Sequence, residues 1–468
     1  MARRDAPSLT TFGWIVSTWV LVVSFQYGYH ISTLNQIQAV LTCRYAGGED
    51  DGRAQLGLPR CIPMSDATFS VVTSAFTVGG LVGSLVANIF MDRYGRKRAV
   101  QCSGLAVGVG AALMSVSGSV APLLVGRAFT GVGAGIGLCV GPVFIAEIAP
   151  ERLKSSLGVL TQFAIVMGIL ITQALGLYMA TPGLWRLVFV FSSALSIAQL
   201  LLSPFMVDTP VWLTRGNQAD VAKGVVRKLW TAVDKDLAVA DGAEDPLLEE
   251  QDQPDDVSEH TVYERPSTVS VLGSFRAREL RRPLSIVSLG MIMQQLSGIN
   301  AVLYYSNDIL SKALPGMGPY ISLGITIVNV FMTFPPIILI KRVGHKALLR
   351  VSMLGACTSL ILAGFGLNHG MVALTSVAVM AFVASFAVGI GPVPFVMIPE
   401  VSPSYAVSAL SSIALSMNWI ANFIVALVFL PLRNFLSHGD PAAEGQVFYV
   451  FAILLSLLSL GLFYVWRA

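Results

Sequence analysis

Charged residues are scarce in this chain. Only 12% of its 468 residues are Asp, Glu, Lys or Arg, against about a quarter in a typical soluble domain. Hydrophobic residues make up 54%, and the net charge is only +3. This composition predicts a polytopic membrane protein, so the lipid bilayer is an expected partner. The small net charge gives no reason to expect a nucleic-acid partner, and no obligate protein partner is evident.

Histidine and cysteine are also rare, with five of each. The histidines, at positions 30, 260, 345, 369 and 438, are too scattered to form a nucleophile–base pair or a metal site. We therefore expect no enzyme, metal or cofactor. Three cysteines (102, 139 and 357) lie in apolar stretches, where packing is the simplest role. Cys43 and Cys61 flank one polar loop, in which they could form a disulfide.

Twelve apolar stretches are long enough to predict membrane spans. Basic residues collect on one side of them, before the first span and after the second, fourth and eighth. The positive-inside rule therefore predicts that both termini are cytosolic. The first span is too long for a cleavable signal peptide. The predicted spans are 14–38, 66–90, 99–118, 121–148, 156–180, 184–206, 283–310, 318–340, 347–367, 371–398, 404–432 and 445–466.

One large polar insertion, residues 207–282, separates a first half (1–206) from a second half (283–468). Residues 217–237 could form short amphipathic helices. Residues 241–259 contain nine acidic and no basic residues, which predicts a disordered, solvated tether. A trafficking signal around Pro246-Leu247-Leu248 is the alternative.

The two halves repeat each other loosely. The segment 92–97, DRYGRK, is echoed by 341–346, KRVGHK, and the segment 142–147, PVFIAE, by 394–400, PFVMIPE. Such repeats predict two six-helix halves with a binding site at their interface, near the middle of the bilayer.

Polar amides interrupt the seventh span, which contains Gln294, Gln295 and Asn300 within the segment MIMQQLSGINAVLYYS. An unpaired amide in lipid costs several kcal/mol, so these side chains should face protein or a water-filled cavity. Unwinding at Ser297-Gly298 would bring them onto one side. Neutral amides suit a polyhydroxyl solute better than an ion, although helix–helix adhesion is the alternative.

Together these motifs resemble a sugar porter of the major facilitator superfamily, close to the facilitative glucose transporters. The segments that carry the resemblance are QQLSGINAVLYYS at 294–306, DRYGRK, Gly126-Arg127, GPVPF at 391–395 and Asn418-Trp419. The resemblance implies an all-α membrane protein with twelve transmembrane helices in two pseudo-symmetric six-helix bundles, and no enzymatic activity. It also implies transport of a monosaccharide by alternating access, as a uniporter. The alternatives are a proton-coupled symporter or antiporter, and a non-transporting sugar sensor.

The same resemblance implies a substrate site, with two departures from glucose transporters. Ala387 stands where they have a sugar-bonding Glu, and Phe395 where they have a Trp. A hexose or a related polyol is therefore expected, without commitment to glucose. The membrane, plasma or vacuolar, stays open. The substrate-binding positions implied are Gln162, Gln294, Gln295, Asn300, Asn329, Phe395, Asn418 and Trp419.

Ion pairs at the cytosolic helix ends are expected to form a gate. In the second half, Lys341 and His345 replace an expected acid and Arg, which leaves Glu400 to pair with Arg342, His345 or Lys346. The implied gate positions are Asp92, Arg93, Arg96, Glu147, Lys154, Asp208, Arg342, Lys346 and Glu400.

The resemblance also bears on proton coupling. Proton-linked sugar porters have an Asp where this chain has His30, and that Asp pairs with the residue equivalent to Arg127. A permanent cation and burial both disfavour a charged imidazole. We therefore expect His30 to be a neutral packing residue in a uniporter, unless an acidic compartment protonates it.

Overall fold

The computed structural model describes residues 8–44, 57–231, 271–303, 317–403, 406–440 and 443–467. Within these ranges the regular structure is helical, apart from isolated bridge positions at Leu9, Pro59 and Trp230, of which Leu9 pairs with Trp230. The acidic segment 241–259, which was predicted to be a tether, lies outside the described residues. The alternative trafficking signal around Pro246 lies outside them as well.

The first half contains six long helices, followed by a short helical linker. The N-terminal helix is capped by the Thr10 side chain, which accepts from the Gly13 backbone N–H. The elements are α1 (Thr11–Leu41), α2 (Asp66–Tyr94), α3 (Arg96–Ser115), α4 (Val120–Ile148), α5 (Glu151–Met179), α6 (Trp185–Leu202), a 3₁₀ turn (Ser203–Phe205), α7 (Pro210–Arg215) and α8 (Ala219–Leu229).

The second half is more interrupted, and several of its predicted spans consist of two shorter helical pieces. Its elements are α9 (Val271–Arg276), a 3₁₀ turn (Arg278–Leu280), α10 (Arg281–Leu296), α11 (Gly318–Met332), α12 (Pro335–Val343), α13 (His345–Asn368), α14 (Val372–Ser385), a π-helical turn (Phe386–Ile390), α15 (Val393–Val401), α16 (Val407–Ser437) and α17 (Gln446–Arg467).

Nine segments of the described chain are long and apolar enough to span a membrane. The other three predicted spans coincide with α1, α3 and the α11–α12 pair. Buried polar side chains such as Gln26, Asn35 and Gln38 lower the hydropathy of α1. Three basic residues open α3, and α11 has only 15 residues. Length and composition alone therefore understate the number of spans.

The two ends of the helical bundle differ in character. One end, here called the basic end, carries 93–98, 341–350 and the linker helices α7 and α8. The opposite end, the loop end, carries the segment between α1 and α2, where a disulfide joins Cys43 to Cys61. The Trp185 indole donates to the Arg60 carbonyl at 2.7 Å and so ties this loop to α6.

Within the first half, α2 and α4 cross at very short distance. A Cβ atom added to Gly79 or Gly131 would lie 2.1 Å from a backbone oxygen of the facing helix. Small residues allow such close approach between helices in a membrane, where packing replaces the hydrophobic effect as the source of association.

Hydrogen bonds from α1 join the two halves at the loop end. Ser32 donates to the Leu303 carbonyl at 3.2 Å, Asn35 donates to Ser322 Oγ at 3.0 Å, and Gln36 donates to the Pro319 carbonyl at 3.0 Å. All three donors are buried. The interface between the halves is therefore closed at this end.

Three predicted spans of the second half are broken, each for a recognisable reason. After α10, Ser297 and Gly298 form a turn, and Gly298 takes a φ of 89° before the helix resumes at 299. Pro335-Pro336 interrupts the span that α11 and α12 share, since proline lacks the N–H that a helix needs. The span of α14 and α15 breaks through the π-helical turn that precedes Gly391 and Pro392.

Candidate functional site

Four buried amides from α10, the resumed helix after it and α16 form one hydrogen-bonded chain. Asn300 donates to Gln295 Oε1, and Gln295 donates to Asn418 Oδ1 at 3.0 Å. Asn418 donates in turn to Gln294 Oε1 at 2.7 Å. The turn at Ser297-Gly298 makes this arrangement possible, because it swings Asn300 back towards Gln295.

The two ends of the amide chain have different partners. Gln294 donates to the Ile390 and Gly391 carbonyls, at 3.2 and 2.6 Å, and its oxygen accepts from Asn418. Asn418 uses its second donor on the Met291 sulfur at 3.5 Å. At the other end, Asn300 donates to Gln295 and Gln295 donates to Asn418, so the bonds there join amides to amides and hydroxyl groups could replace them. The amides whose mutual hydrogen bond a hydroxyl group could replace are therefore Gln295 and Asn300.

Trp419 extends the site across the interface between the halves. Its ring is fully buried against the first half, with Tyr27 and Phe76 ring centroids at 5.8 and 6.1 Å, both edge-on. A Cβ atom added to Gly80 would lie 2.4 Å from the indole, so only glycine fits there. The buried indole N–H has no hydrogen-bond partner within the described residues.

The remaining substrate positions implied by the resemblance lie on other helices. Gln162 is half-buried on α5, and Asn329 is buried on α11. These two helices face each other across the halves, where the Phe163 and Phe334 rings lie 5.5 Å apart. Phe395, on α15, is 36% exposed. None of these three side chains joins the amide chain described above.

At the basic end, the first half contains a tight ionic cluster. Arg96 binds Glu147 through two nitrogens, with Nη2–Oε1 at 2.8 Å and Nε–Oε2 at 3.0 Å. Thr209 also donates to Glu147. Asp208 Oδ1 accepts from the backbone N–H groups of Arg96, Lys97 and Thr209, at 3.1, 3.2 and 2.9 Å. It thereby caps the start of α3.

Other gate positions of the first half play different parts. Arg93 is exposed and lies over the Tyr94 ring, 5.5 Å from its centroid. The side chains of Asp92 and Lys154 lie outside the part that the structure describes. The cross-helix pair therefore uses Arg96, while Arg93 sits on the surface.

The second half has a looser counterpart. Of the three bases considered for Glu400, His345 approaches it, with Nδ1–Oε2 at 3.2 Å, and both side chains are substantially exposed. Lys346 instead lies over the Trp466 ring at 4.8 Å, and Arg342 is exposed.

His30 and Arg127 are both fully buried between α1, α4 and α6. Arg127 donates to the His30 backbone carbonyl at 2.9 Å and stacks on Phe76 at 4.7 Å. The His30 imidazole turns away, and its Nε2 meets Ser192 Oγ at 2.7 Å. Ser192 donates its own proton to Gln26 Oε1, so Nε2 of His30 carries the hydrogen in this bond.

The family model described as "Sugar (and other) transporter" matches residues 16–467. The chain belongs to the sugar transporter family. A probable metabolite transport protein of Saccharomyces cerevisiae is 30% identical over 480 residues, which cover 99% of this chain and 94% of the relative. The mouse facilitated glucose transporter member 4 is 32% identical over 462 residues, covering 94% and 86%.

Solved structures agree on the fold. The xylose transporter XylE from E. coli, in a partially occluded inward-open conformation, superposes with a TM-score of 0.72 at 18% identity. The match covers 97% of this sugar transporter family member and 99% of XylE. The predicted all-α, twelve-helix fold of the major facilitator superfamily is therefore confirmed.

Sequence reasoning missed three side chains that shape these sites. Thr209 follows Asp208 in the linker and donates to Glu147. The Met291 sulfur accepts a hydrogen bond from Asn418, and the Ser192 hydroxyl accepts one from His30 Nε2. Only Thr209, in the segment Asp208-Thr209-Pro210, carried a local signal. The roles of Met291 and Ser192 depend on contacts between helices far apart in sequence.

Proposed function

We propose that this member of the sugar transporter family moves a monosaccharide, a hexose or a related polyol, across a membrane by alternating access. The observation that carries the proposal is the buried amide chain beside Trp419, at the interface between the halves. Amides donate to and accept from hydroxyl groups, while an indole face packs on the apolar side of a sugar ring. The names of the glucose and xylose transporter relatives support the same substrate class.

Gln295 and Asn300 are the proposed primary sugar contacts, because a sugar hydroxyl can replace the hydrogen bond between them. Asn418 and Trp419 form the adjoining wall. Gln162 and Asn329 complete the proposed site from facing helices, and Phe395 contributes an apolar edge in place of a tryptophan.

Replacing Gln295 or Asn300 with Ala should weaken sugar binding by roughly 1–3 kcal/mol, since a buried polar partner is left unpaired. The measurement is uptake of a radiolabelled sugar panel into liposomes that contain the purified protein. Ser285→Ala is a matched control, because this exposed hydroxyl on α10 only contacts its own helix. Wild-type affinity in both site variants would show that the site is elsewhere.

We further propose uniport, without proton coupling. Support comes from the position that is a carboxylate in proton-linked porters. Here it is His30, whose imidazole hydrogen-bonds to Ser192, while Arg127 binds the backbone carbonyl of His30. Protonating an imidazole beside this fixed cation is unfavourable.

Sugar-induced proton movement in liposomes tests uniport, measured from about pH 5 to about pH 7.5. We expect no stoichiometric proton flux, and we expect His30→Asn to retain sugar transport because Asn can still donate to Ser192. A proton flux that accompanies sugar and disappears in His30→Asn would overturn uniport.

For topology, we propose that the basic end faces the cytosol, with both chain termini on that side. The clustering of Arg93, Arg96 and Lys346 at one end supports this through the positive-inside rule. Labelling of single cysteines introduced at the exposed positions Tyr94 and Asn217, in intact cells and in permeabilised cells, tests it. Whether the membrane is plasma or vacuolar requires imaging of the tagged protein.

A further inference from the structure

Two buried amides lie on the seam between α1 and α5, near the loop end, and each has one atom without a partner. Gln36 is only 3% exposed, and Gln173 is fully buried. Within the described residues, the Oε1 atom of each side chain accepts no hydrogen bond. Most buried polar atoms are hydrogen-bonded, so two unpartnered oxygens on facing helices require an explanation.

The hydrogen bonds that these amides do make determine which atom is left over. Gln36 Nε2 donates to the Pro319 carbonyl at 3.0 Å, and a carbonyl can only accept. Ser32 Oγ donates its hydrogen to the Leu303 carbonyl at 3.2 Å, so it accepts from Gln173 Nε2, also at 3.2 Å. Rotating either amide by half a turn would bring its oxygen against an acceptor. Both unpartnered atoms are therefore acceptors, and a ligand must supply the donors.

The two amides lie close together along the seam. Ser32 and Gln36 are four residues apart on α1, and Gln173 and Gly176 are three residues apart on α5, so each pair shares one helix face. Ser32 bonds to Gln173, and a Cβ atom added to Gly176 would lie 2.5 Å from the Gln36 Cβ. The two carboxamides therefore occupy successive turns of the same seam.

This seam also borders the interface between the halves. Leu303 and Pro319, which accept from Ser32 and Gln36, belong to the second half. Separation of the halves at the loop end, which alternating access requires, would break both bonds and open the seam to the solution on that side. Leu303 lies three residues beyond Asn300, about 4.5 Å along the helix. The seam therefore leads from the loop end towards the amide chain.

The chemistry of the seam favours hydroxyl donors. The described hydrogen-bond partners of both amides are neutral, a serine hydroxyl and a backbone carbonyl. A saccharide hydroxyl carries no charge, so it can donate to a buried amide oxygen without the desolvation cost of an ion.

We propose that Gln36 and Gln173 form a second carbohydrate subsite on the loop-end side of the amide chain, where their oxygens accept from saccharide hydroxyl groups once the halves separate. The inference rests on the proposed sugar transport and extends it. A saccharide with one ring at Gln295 and Asn300 would place a second ring at this subsite.

The test uses a disaccharide that the vesicles do not take up, applied from one face at a time as a competitor of monosaccharide transport. Labelling of Asn217→Cys at the basic end reports the orientation of the protein in the vesicles. From the loop end, the inhibition constant should rise about fivefold in Gln36→Met and in Gln173→Met, since each loses one hydrogen bond to a hydroxyl. From the basic end, neither substitution should change it.

The direction of this change excludes an effect on the closure of the loop end. Gln36→Met also removes the bond to the Pro319 carbonyl, which holds the halves together. Its loss favours the open loop end and would lower the inhibition constant. A rise in the constant must therefore come from lost contacts with the disaccharide.

Monosaccharide transport separates the subsite from the amide chain. The ratio Vmax/KM should stay within about twofold of wild type in both glutamine variants, whereas Gln295→Ala should lower this ratio and also weaken the disaccharide. Thr172→Val is the matched control, because this neighbour of Gln173 is equally buried and its hydroxyl donates to Thr33 Oγ1 within the first half, at 3.5 Å. It should change neither quantity.

Three outcomes would overturn the proposal. An unchanged loop-end inhibition constant in both glutamine variants, in proteins that remain monodisperse, would mean that the two oxygens bind only water. An equally large fall in Vmax/KM for the monosaccharide would assign both residues to the amide-chain site. A requirement for Na⁺ or K⁺ that disappears in Gln173→Met would assign the oxygens to a cation. Failure of the proposed function looks different: the wild type would transport no sugar of the panel from either face, and the subsite would fall with it.

Discussion

The basic ends of the two halves carry related sequence segments but different chemistry. In the first half, the side chains of Arg96 and Glu147 are only 6% and 14% exposed, and the pair is bidentate. In the second half, His345 and Glu400 are 25% and 49% exposed and make a single contact. Sequence repetition therefore conserves the position of a charge pair here without conserving its strength.

The two halves also differ in the continuity of their helices. The breaks at Ser297-Gly298, at Pro335 and in the π turn before Gly391 all lie in the second half. The first half keeps six continuous helices, with the linker fastened to it by the Trp230 indole, which donates to the Ile148 carbonyl at 2.9 Å. These differences suggest that the first half acts as a rigid block against which segments of the second half rearrange.

The largest expected effect comes from Glu147→Gln. It leaves the buried Arg96 guanidinium without its carboxylate, and breaking such a pair costs about 3 kcal/mol or more. We expect a clear fall in the midpoint of thermal unfolding of the purified protein in detergent. An unchanged midpoint would show that the first half does not depend on this pair, and the rigid-block interpretation would fail.

Much of this organisation follows from the sequence by simple physics. Apolar length and composition give nine of the spans within the described residues, and the basic loops and internal repeats indicate the rest. Ser297-Gly298 gives the break that brings Asn300 to Gln295. The choice of Arg96 over Arg93 could not be predicted, because it depends on how Gly95 redirects the chain between α2 and α3. The glycines and prolines at 389–394 are a local signal for the break between α14 and α15. The hydrogen bonds from Gln294 to the Ile390 and Gly391 carbonyls could not be predicted, because they join helices that are far apart in sequence.

Two glycines with similar backbone angles allow the cost of backbone strain to be separated from the cost of a steric clash. Gly95 and Gly344 precede α3 and α13 with nearly the same backbone angles, φ 93° and ψ 161° against φ 82° and ψ 157°. Alanine at either position should therefore cost about 1–3 kcal/mol in strain. Among the described residues, a new Cβ atom at Gly95 would meet Asp208 Oδ2 at 2.3 Å, whereas one at Gly344 would meet nothing within 4 Å.

Gly95→Ala should consequently cost roughly 1–2 kcal/mol more than Gly344→Ala, because Asp208 must move and release the N–H groups that it caps. The measurement is the difference between the two free energies of unfolding, in which the strain cancels. Equal costs would mean that Asp208 contributes no more than solvent to the start of α3.

The smallest effect is expected from Glu400→Gln. The pair with His345 is partly exposed, so screening by water and salt leaves it only about 0.5 kcal/mol. His345→Asn should cost a similar amount, and the double variant little more than either single one, since both changes remove the same contact. If Glu400→Gln destabilises the protein as strongly as Glu147→Gln, the contrast between the halves is wrong. A small effect on stability combined with a changed transport rate would instead place this pair among the contacts that break and re-form as the second half moves.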